Sequence, residues 1–132
     1  MQYLDSNVFL YATLNREEIG NRARNLLKQV QQGKKEACSS ALTFDEIVWV
    51  VKKHRTQQDA IIAGEAFLNF PNVKLIAVTE DLLSFALDLI KKQSLNPRDS
   101  IHAASAILNK TEALVSTDEH FDKIKELNRK PL

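Results

Sequence analysis

Apolar positions along this chain recur at two spacings, and each change of spacing marks an element. Gln2–Leu4 is a short run read as a strand. Asp5-Ser6-Asn7 follows it, and Val8–Leu14 has helical character. Ile19, Ala23, Leu26, Leu27 and Val30 recur three and four residues apart, which predicts a helix over Glu17–Gln32 that stops at Gly33. Glu36–Ser39 reads as a second strand. Thr43–Lys53 is a strongly apolar helix, broken by His54-Arg55-Thr56, and Gln57–Phe70 is another, so the two form a helical hairpin. Pro71-Asn72 turns the chain into Val73–Val78, the clearest strand. Leu82, Leu83, Ala86, Leu89 and Ile90 then share one face of a helix over Thr79–Gln93. Asn96-Pro97 opens a helix holding Ile101, Ala103, Ala104, Ile107 and Leu108. Ala113–Val115 is a fourth strand, and Ser116-Thr117-Asp118 leads into a last helix, Glu119–Leu127.

Strands alternate with helices, and no tight hairpin signal such as Asn-Gly occurs. The expected class is α/β, with a parallel sheet of four or five strands flanked by helices on both faces. No repeat, low-complexity tract or linker interrupts the chain, so residues 1–132 read as one domain.

Composition narrows the chemistry. The chain is 44% hydrophobic, ample for a core, and its formal net charge is +1, so any contact with nucleic acid has to come from local patches. A single cysteine, Cys38, excludes an internal disulfide and suits a reducing compartment; among small residues it reads as a buried inert thiol. Met1–Asn7 has neither a basic region nor an apolar run of a secretory signal, and no stretch approaches the ~20 apolar residues of a membrane span. A cytoplasmic protein with no membrane contact is the expectation. The three glycines form no phosphate-binding or dinucleotide fingerprint, no serine-hydrolase elbow is present, and no His or Cys cluster has zinc spacing.

Four acids stand out by position. Asp5, Glu46, Asp99 and Asp118 each lie where a strand-like run gives way to a helix, or where a helix begins. Taken singly, each has a local explanation. Thr43 to Glu46 matches a capping box, Asn96-Pro97-Arg98-Asp99 matches a capped helix start with an acid on its dipole, Thr117 is placed to cap the last helix, and Asp5 to accept from the amides after it. Asp59, Glu80 and Asp81 occupy comparable places, the last two being the serious competitors. The combination favours the first four. Open parallel sheets bind ligands beyond the carboxyl ends of their strands, where chain order reverses. Oxygen-only donors brought together there suit Mg²⁺ or Mn²⁺ rather than zinc. His102, one turn after Asp99, reads as a packed helical histidine. The basic run Lys52-Lys53-His54-Arg55 reads first as a solvated helix end and second as an RNA contact.

Several segments resemble the PIN-domain nucleases, and among them the VapC-type toxins of prokaryotic toxin–antitoxin pairs. They are Tyr3-Leu4-Asp5-Ser6-Asn7, Ser40 to Glu46, Pro97 to Ala104, and Leu114-Val115-Ser116-Thr117-Asp118 followed by Phe121. The resemblance spans essentially the whole chain. It implies a metal-dependent endoribonuclease that hydrolyses phosphodiester bonds with Mg²⁺ or Mn²⁺. Asp5, Glu46, Asp99 and Asp118 then form the catalytic tetrad. Asp5, Asp99 and Asp118 hold the metal, Glu46 or Asp118 handles the attacking water, and Asn7, Ser116 and Thr117 support them. RNA is the implied substrate, a small antitoxin the implied partner, and a homodimer the implied assembly. Phe44, Trp49 and Phe67 on the helical hairpin are a candidate docking surface, with core packing as the other reading. One residue departs from the family pattern: many members carry a further acid where this chain has His120. That keeps open a catalytically silent PIN-like module that binds RNA or protein. The C-terminus, Arg129–Leu132, also leaves little for the small final strand the family leads one to expect.

Overall fold

Short, largely apolar strands are stable only when they are paired and covered on both faces. In the computed structural model, which describes residues 1–132, five strands achieve this. They are β1 (Gln2–Leu4), β2 (Ala37–Ser40), β3 (Val73–Ile76), β4 (Ala113–Val115) and β5 (Arg129–Lys130), in the order β3-β2-β1-β4-β5 with every pair parallel. Six helices connect them: α1 (Ser6–Leu14), α2 (Glu18–Gln31), α3 (Leu42–His54), α4 (Gln57–Leu68), α5 (Glu80–Gln93) and α6 (Pro97–Leu108).

Successive strand side chains point to opposite faces, so each strand feeds two cores. Tyr3, Cys38 and Leu114 join Leu82, Ala86 and Leu89 of α5 and Ala103, Ala104 and Ala106 of α6 on one face. Leu4, Ala37 and Val115 join Val8 and Phe9 of α1, Leu27 of α2, Ile47 and Val51 of α3, and Phe67 of α4 on the other. Gly33 stops α2 at φ 73°, and Gly64 lets α4 close on α3, where a Cβ would stand 3.0 Å from Val48 Cγ2. Cys38 is buried, and burial pushes its thiol up to about 11, which makes it inert as a nucleophile. No helix is long and apolar enough to cross a membrane.

Chain direction places the site. The chain starts in the middle of the sheet, builds outward through β2 and β3, then returns to the other side of β1 for β4 and β5. Connections therefore diverge between β1 and β4, leaving a crevice at their carboxyl ends.

The C-terminal region differs from the sequence reading in two ways. The helix expected over Glu119–Leu127 is a 3₁₀ turn, Glu119–Lys123, followed by further turns. Bonds from Phe121 N to Asp118 O, Ile124 N to Phe121 O and Leu127 N to Ile124 O all span three residues. Phe121, Ile124 and Leu127 recur at that same spacing, and all three pack against one core, where three residues per turn stacks them in a single line. The small final strand does form. Arg129 and Lys130 pair with Leu114 and Val115. Arg129 grips the Asp122 carboxylate with Nε at 2.7 Å and Nη2 at 3.0 Å, and its Nη1 donates to the Ser116 carbonyl at 3.0 Å. Two residues suffice because this bidentate pair fixes the end of the strand.

Candidate metal centre

Asp5 leaves β1 in extended geometry and caps α1. Its Oδ1 accepts from Ser6 N at 2.8 Å, and its Oδ2 accepts from Ser116 Oγ at 2.7 Å, across the crevice from the end of β4. Ser116 Oγ in turn accepts from Asn7 Nδ2 at 2.9 Å and Asp118 N at 3.0 Å, and Asn7 Nδ2 also reaches Thr117 Oγ1 at 3.0 Å. Asn7, Ser116 and Thr117 thus fasten the first turn of α1 to the segment after β4. Asp118, not Thr117, caps the 3₁₀ turn, its Oδ1 accepting from His120 N at 2.9 Å.

The helices supply the other two acids. Glu46 lies one turn into α3. The capping box suggested by Thr43 to Glu46 does not form: α3 begins at Leu42, and Thr43 is buried, its hydroxyl 2.8 Å from Ser39 Oγ at the end of β2. A hydroxyl buried against the sheet end bonds there rather than to its own helix. Glu46 is free to turn inward, where Oε2 accepts from Ser6 Oγ at 3.2 Å and Oε1 pairs with His102 Nε2. Asp99 occupies the first turn of α6, with Pro97 opening the helix; the expected side-chain cap from Asn96 is not made. One oxygen of Asp99, one of Asp118 and one ring nitrogen of His120 lie within 4.8 Å of one another. Asp5 and Glu46 share His102, Asp99 and Asp118 share His120, and the charges of Asp118 and Asp5 both act on Asp99, so the four acids are electrostatic neighbours at this end of the sheet. Asp59, Glu80 and Asp81 are exposed, and the latter two follow β3 at the sheet edge, away from the crevice.

His102 is the residue whose place the sequence understated. It is buried, with Nε2 on Glu46 and 3.6 Å from Asp5 Oδ1, while Nδ1 lies 2.6 Å from the Tyr3 hydroxyl. Tyr3 Oη also accepts from Ser40 N at 3.1 Å. While the imidazole is neutral, the phenol donates to Nδ1 and Nε2–H donates to Glu46; once protonated, the ring donates from both nitrogens and the phenol oxygen accepts. Tyr3–His102–Glu46 is a buried polar chain joining β1, α6 and α3. The available signal was the spacing: His102 stands three residues after Asp99 and so shares its helix face. Replacing Tyr3 with phenylalanine leaves Ser40 N–H and His102 Nδ1 without this partner. A loss of about 1–3 kcal/mol is expected in denaturant unfolding.

The pocket is electrostatically unbalanced. None of the four acids forms an ion pair with lysine or arginine; Asp5 and Glu46 face His102, Asp118 faces His120, and the one arginine whose charge acts on Asp118 is Arg129, itself paired with Asp122. Burial raises the Asp5 carboxyl above its ordinary range, with Glu46 adding to the rise against the opposing pull of His102 and Ser116. Burial also raises Asp99, reinforced by Asp118 and Asp5. Burial works to lower His102, but the hydrogen bond to Glu46 and the charge of Asp5 outweigh it and leave the imidazole raised. A carboxyl raised by folding costs stability while ionised, and the cost fades as pH falls through its folded value. A raised histidine stabilises below its ordinary 6.5 and loses that contribution as pH rises through its folded value. Asp5, Asp99 and His102 act in the same direction. The metal-free protein is expected to melt higher near pH 5.5 than near pH 8, measured by calorimetry in chelator. Asp122, held low by Arg129, opposes this only once pH drops below the usual carboxylate range.

Oxygen donors fit a hard dication, and the pocket has one more. Asn7 Oδ1 is buried with no hydrogen-bond partner. Beside it opens a cleft of about 570 Å³ lined by Asn7, Leu10, Tyr11, Leu14, Asn15, His54 and Arg55. The basic end of α3 thus lines a cleft that shares Asn7 with the polar network around Asp5.

A five-stranded parallel sheet with acids gathered at its switch point defines the class as an α/β domain. The PIN-domain family model matches residues 2–127, and the chain belongs to that family. Solved structures agree on the fold. VapBC2 from Rickettsia felis, bound to a DNA fragment from its promoter, is 19% identical over 99% of this chain and 98% of its own, with a TM-score of 0.76. Mycobacterium tuberculosis VapC20, described as a toxin cleaving the sarcin–ricin loop, is 14% identical over 95% of each chain, with a TM-score of 0.77. DNA-bound VapBC from Salmonella typhimurium is 17% identical over 98% of this chain and 96% of its own, with a TM-score of 0.73. No curated protein gives a significant sequence match.

Proposed function

We propose that this chain is a metal-dependent endoribonuclease, the toxin of a VapBC-type toxin–antitoxin pair. The observation that carries the reading is four acids gathered at one end of the sheet with no lysine or arginine ion-paired to any of them. A bound Mg²⁺ or Mn²⁺ would polarise the scissile phosphate and make a water more acidic. Asp5, Asp99 and Asp118 would hold the ion, with Ser116 and Asn7 fixing the angle of the Asp5 carboxylate. Glu46, oriented by His102 and Ser6, would take the proton of the attacking water. His54 and Arg55 bring positive charge to the adjoining cleft, where a phosphodiester backbone can lie despite the small net charge of the chain.

The partner reading rests on exposed apolar surface. Phe67 is core, stacked edge-on against Phe9 with ring centroids 5.1 Å apart. Trp49 is 63% exposed and Phe44 39%, with Ile61, Ile62 and Leu68 also exposed on α4. An antitoxin segment docking along the α3–α4 hairpin would cover them. Leu83 and Leu87 leave a second apolar strip on α5, which suits a homodimer.

The test is incubation of the purified protein with defined tRNAs and ribosomal RNA fragments, with and without Mn²⁺, followed by mapping of the ends. Discrete cuts that need the metal and vanish in Asp99→Asn are expected. Retained RNA binding without cleavage under any dication would instead establish the silent module, the reading that His120 keeps open.

A further inference from the structure

The 3₁₀ turn decides where the His120 ring goes. Asp118 Oδ1 accepts from the His120 amide at 2.9 Å and lies 2.7 Å from its Nδ1, so residue 120 folds back over residue 118. This brings a ring nitrogen into the same cluster as Asp99 and Asp118, all donors within 4.8 Å. Donors about 2.1 Å from one octahedral ion stand about 3 Å apart when adjacent and about 4.2 Å when opposite. Small side-chain rotations would therefore close this set on a single ion. The His120 side chain is 64% exposed and its only polar partner is Asp118, so nothing else holds the ring in place.

We propose that His120 is a nitrogen ligand to the dication held by Asp99 and Asp118, and that it tilts the site toward Mn²⁺ over Mg²⁺. The proposal rests on the reading of the pocket as a dication site. The chemistry is a trade of charge for softness. Where an acid would add both a donor and a negative charge, imidazole adds a donor alone. Magnesium demands hard oxygens and gives up its water reluctantly, so it gains little from that nitrogen. Transition-metal dications accept imidazole readily. On this account residue 120 does not forfeit a ligand; it changes which ion the ligand suits. The rival account is that His120 is a charged cap, pairing with Asp118 only when no metal is bound.

Two measurements on the purified full chain separate these accounts. Calorimetric titration of Mn²⁺ and of Mg²⁺ into wild type, His120→Ala and His120→Asp reads affinity. Pulsed electron paramagnetic resonance of the Mn²⁺-loaded proteins reads the ligand atoms. Nitrogen coupling is expected in wild type and absent in His120→Ala. Mn²⁺ affinity should fall in His120→Ala by at least the roughly tenfold that losing even an outer-shell partner costs. His120→Asp should narrow the preference for Mn²⁺ over Mg²⁺. Mn²⁺ bound without nitrogen coupling would overturn the proposal and leave the dication site standing. So would a coupling that survives in His120→Ala, since it would belong to another nitrogen such as His102. Equal or tighter Mn²⁺ binding by His120→Ala would establish the cap. No Mn²⁺ or Mg²⁺ binding by any of the proteins would bring down the dication site and this proposal together.

Discussion

Asp5→Asn is expected to abolish metal-dependent RNA cleavage while leaving the metal-free fold at least as stable as wild type. The two halves have different causes. Asp5 is the one tetrad acid that is buried, and it touches both strand ends of the crevice. An amide there removes the charge that would hold the ion, together with the several kcal/mol of charge stabilisation the ion supplies. About 4 kcal/mol corresponds to roughly 10³-fold in rate. The fold responds to two opposed effects. Ser116 Oγ already accepts two hydrogen bonds and needs an acceptor for its own proton, and Ser6 N needs one as well. Asparagine has one oxygen where aspartate has two, so one of these buried donors is left unpaired, at about 1–3 kcal/mol. Against this stands the cost of a desolvated carboxylate beside Glu46, which several kcal/mol describes even after relaxation. The charge effect is the larger, so the mutation should not destabilise the metal-free protein. A metal-free melting temperature well below wild type would show that Asp5 serves the fold first. Cleavage at the wild-type rate would remove it from the chemistry.

Millimolar Mn²⁺ is expected to raise the melting temperature of wild type by roughly 10 °C at a hundredfold excess over the dissociation constant. Binding to the native state alone contributes ~2.7 kcal/mol at that excess. For a chain of this size each kcal/mol shifts the midpoint by roughly 3–5 °C. The rise should be much smaller in Asp5→Asn and Asp99→Asn, because each removes a negative donor from the same pocket. It should also flatten the pH dependence of stability, since an ion compensates the carboxylates whose burial produces it. A melting curve unmoved across the titration would contradict the account at this point. An equal rise in wild type and both variants would indicate weak binding elsewhere on the surface.

The parts of this architecture that were legible in the sequence are those with a local cause. Alternation of strands and helices follows from spacing, and the parallel sheet covered on both faces follows from that alternation. Asp5 and Asp118 could be placed because they follow strands, and Asp99 because it lies in the first turn of a helix; Glu46 sits one turn into its helix, further than the spacing implied. What escaped was set by partners distant in the chain. Thr43 begins what looks like a capping box, yet its hydroxyl is taken by Ser39 at the end of β2. His102 looks like any helical histidine until Tyr3, 99 residues away, supplies its other hydrogen bond. The last helix failed because Phe121, Ile124 and Leu127 satisfy two periods locally. Only the shape of the core beneath them selects the tighter one. The final strand was underrated because two residues make a poor strand alone; Asp122 and the Ser116 carbonyl anchor Arg129 and make it sufficient.

Everything functional here depends on a dication at the carboxyl ends of β1 and β4. Crystals of the wild-type chain grown with Mn²⁺ and measured at an energy where manganese scatters anomalously would locate the ion directly. The account predicts a strong anomalous peak within coordination distance of carboxylate oxygens from Asp5 and Asp99, absent from crystals of Asp5→Asn. A map with no peak in that pocket at saturating Mn²⁺, or with manganese only on surface carboxylates such as Glu80 and Asp81, would contradict it.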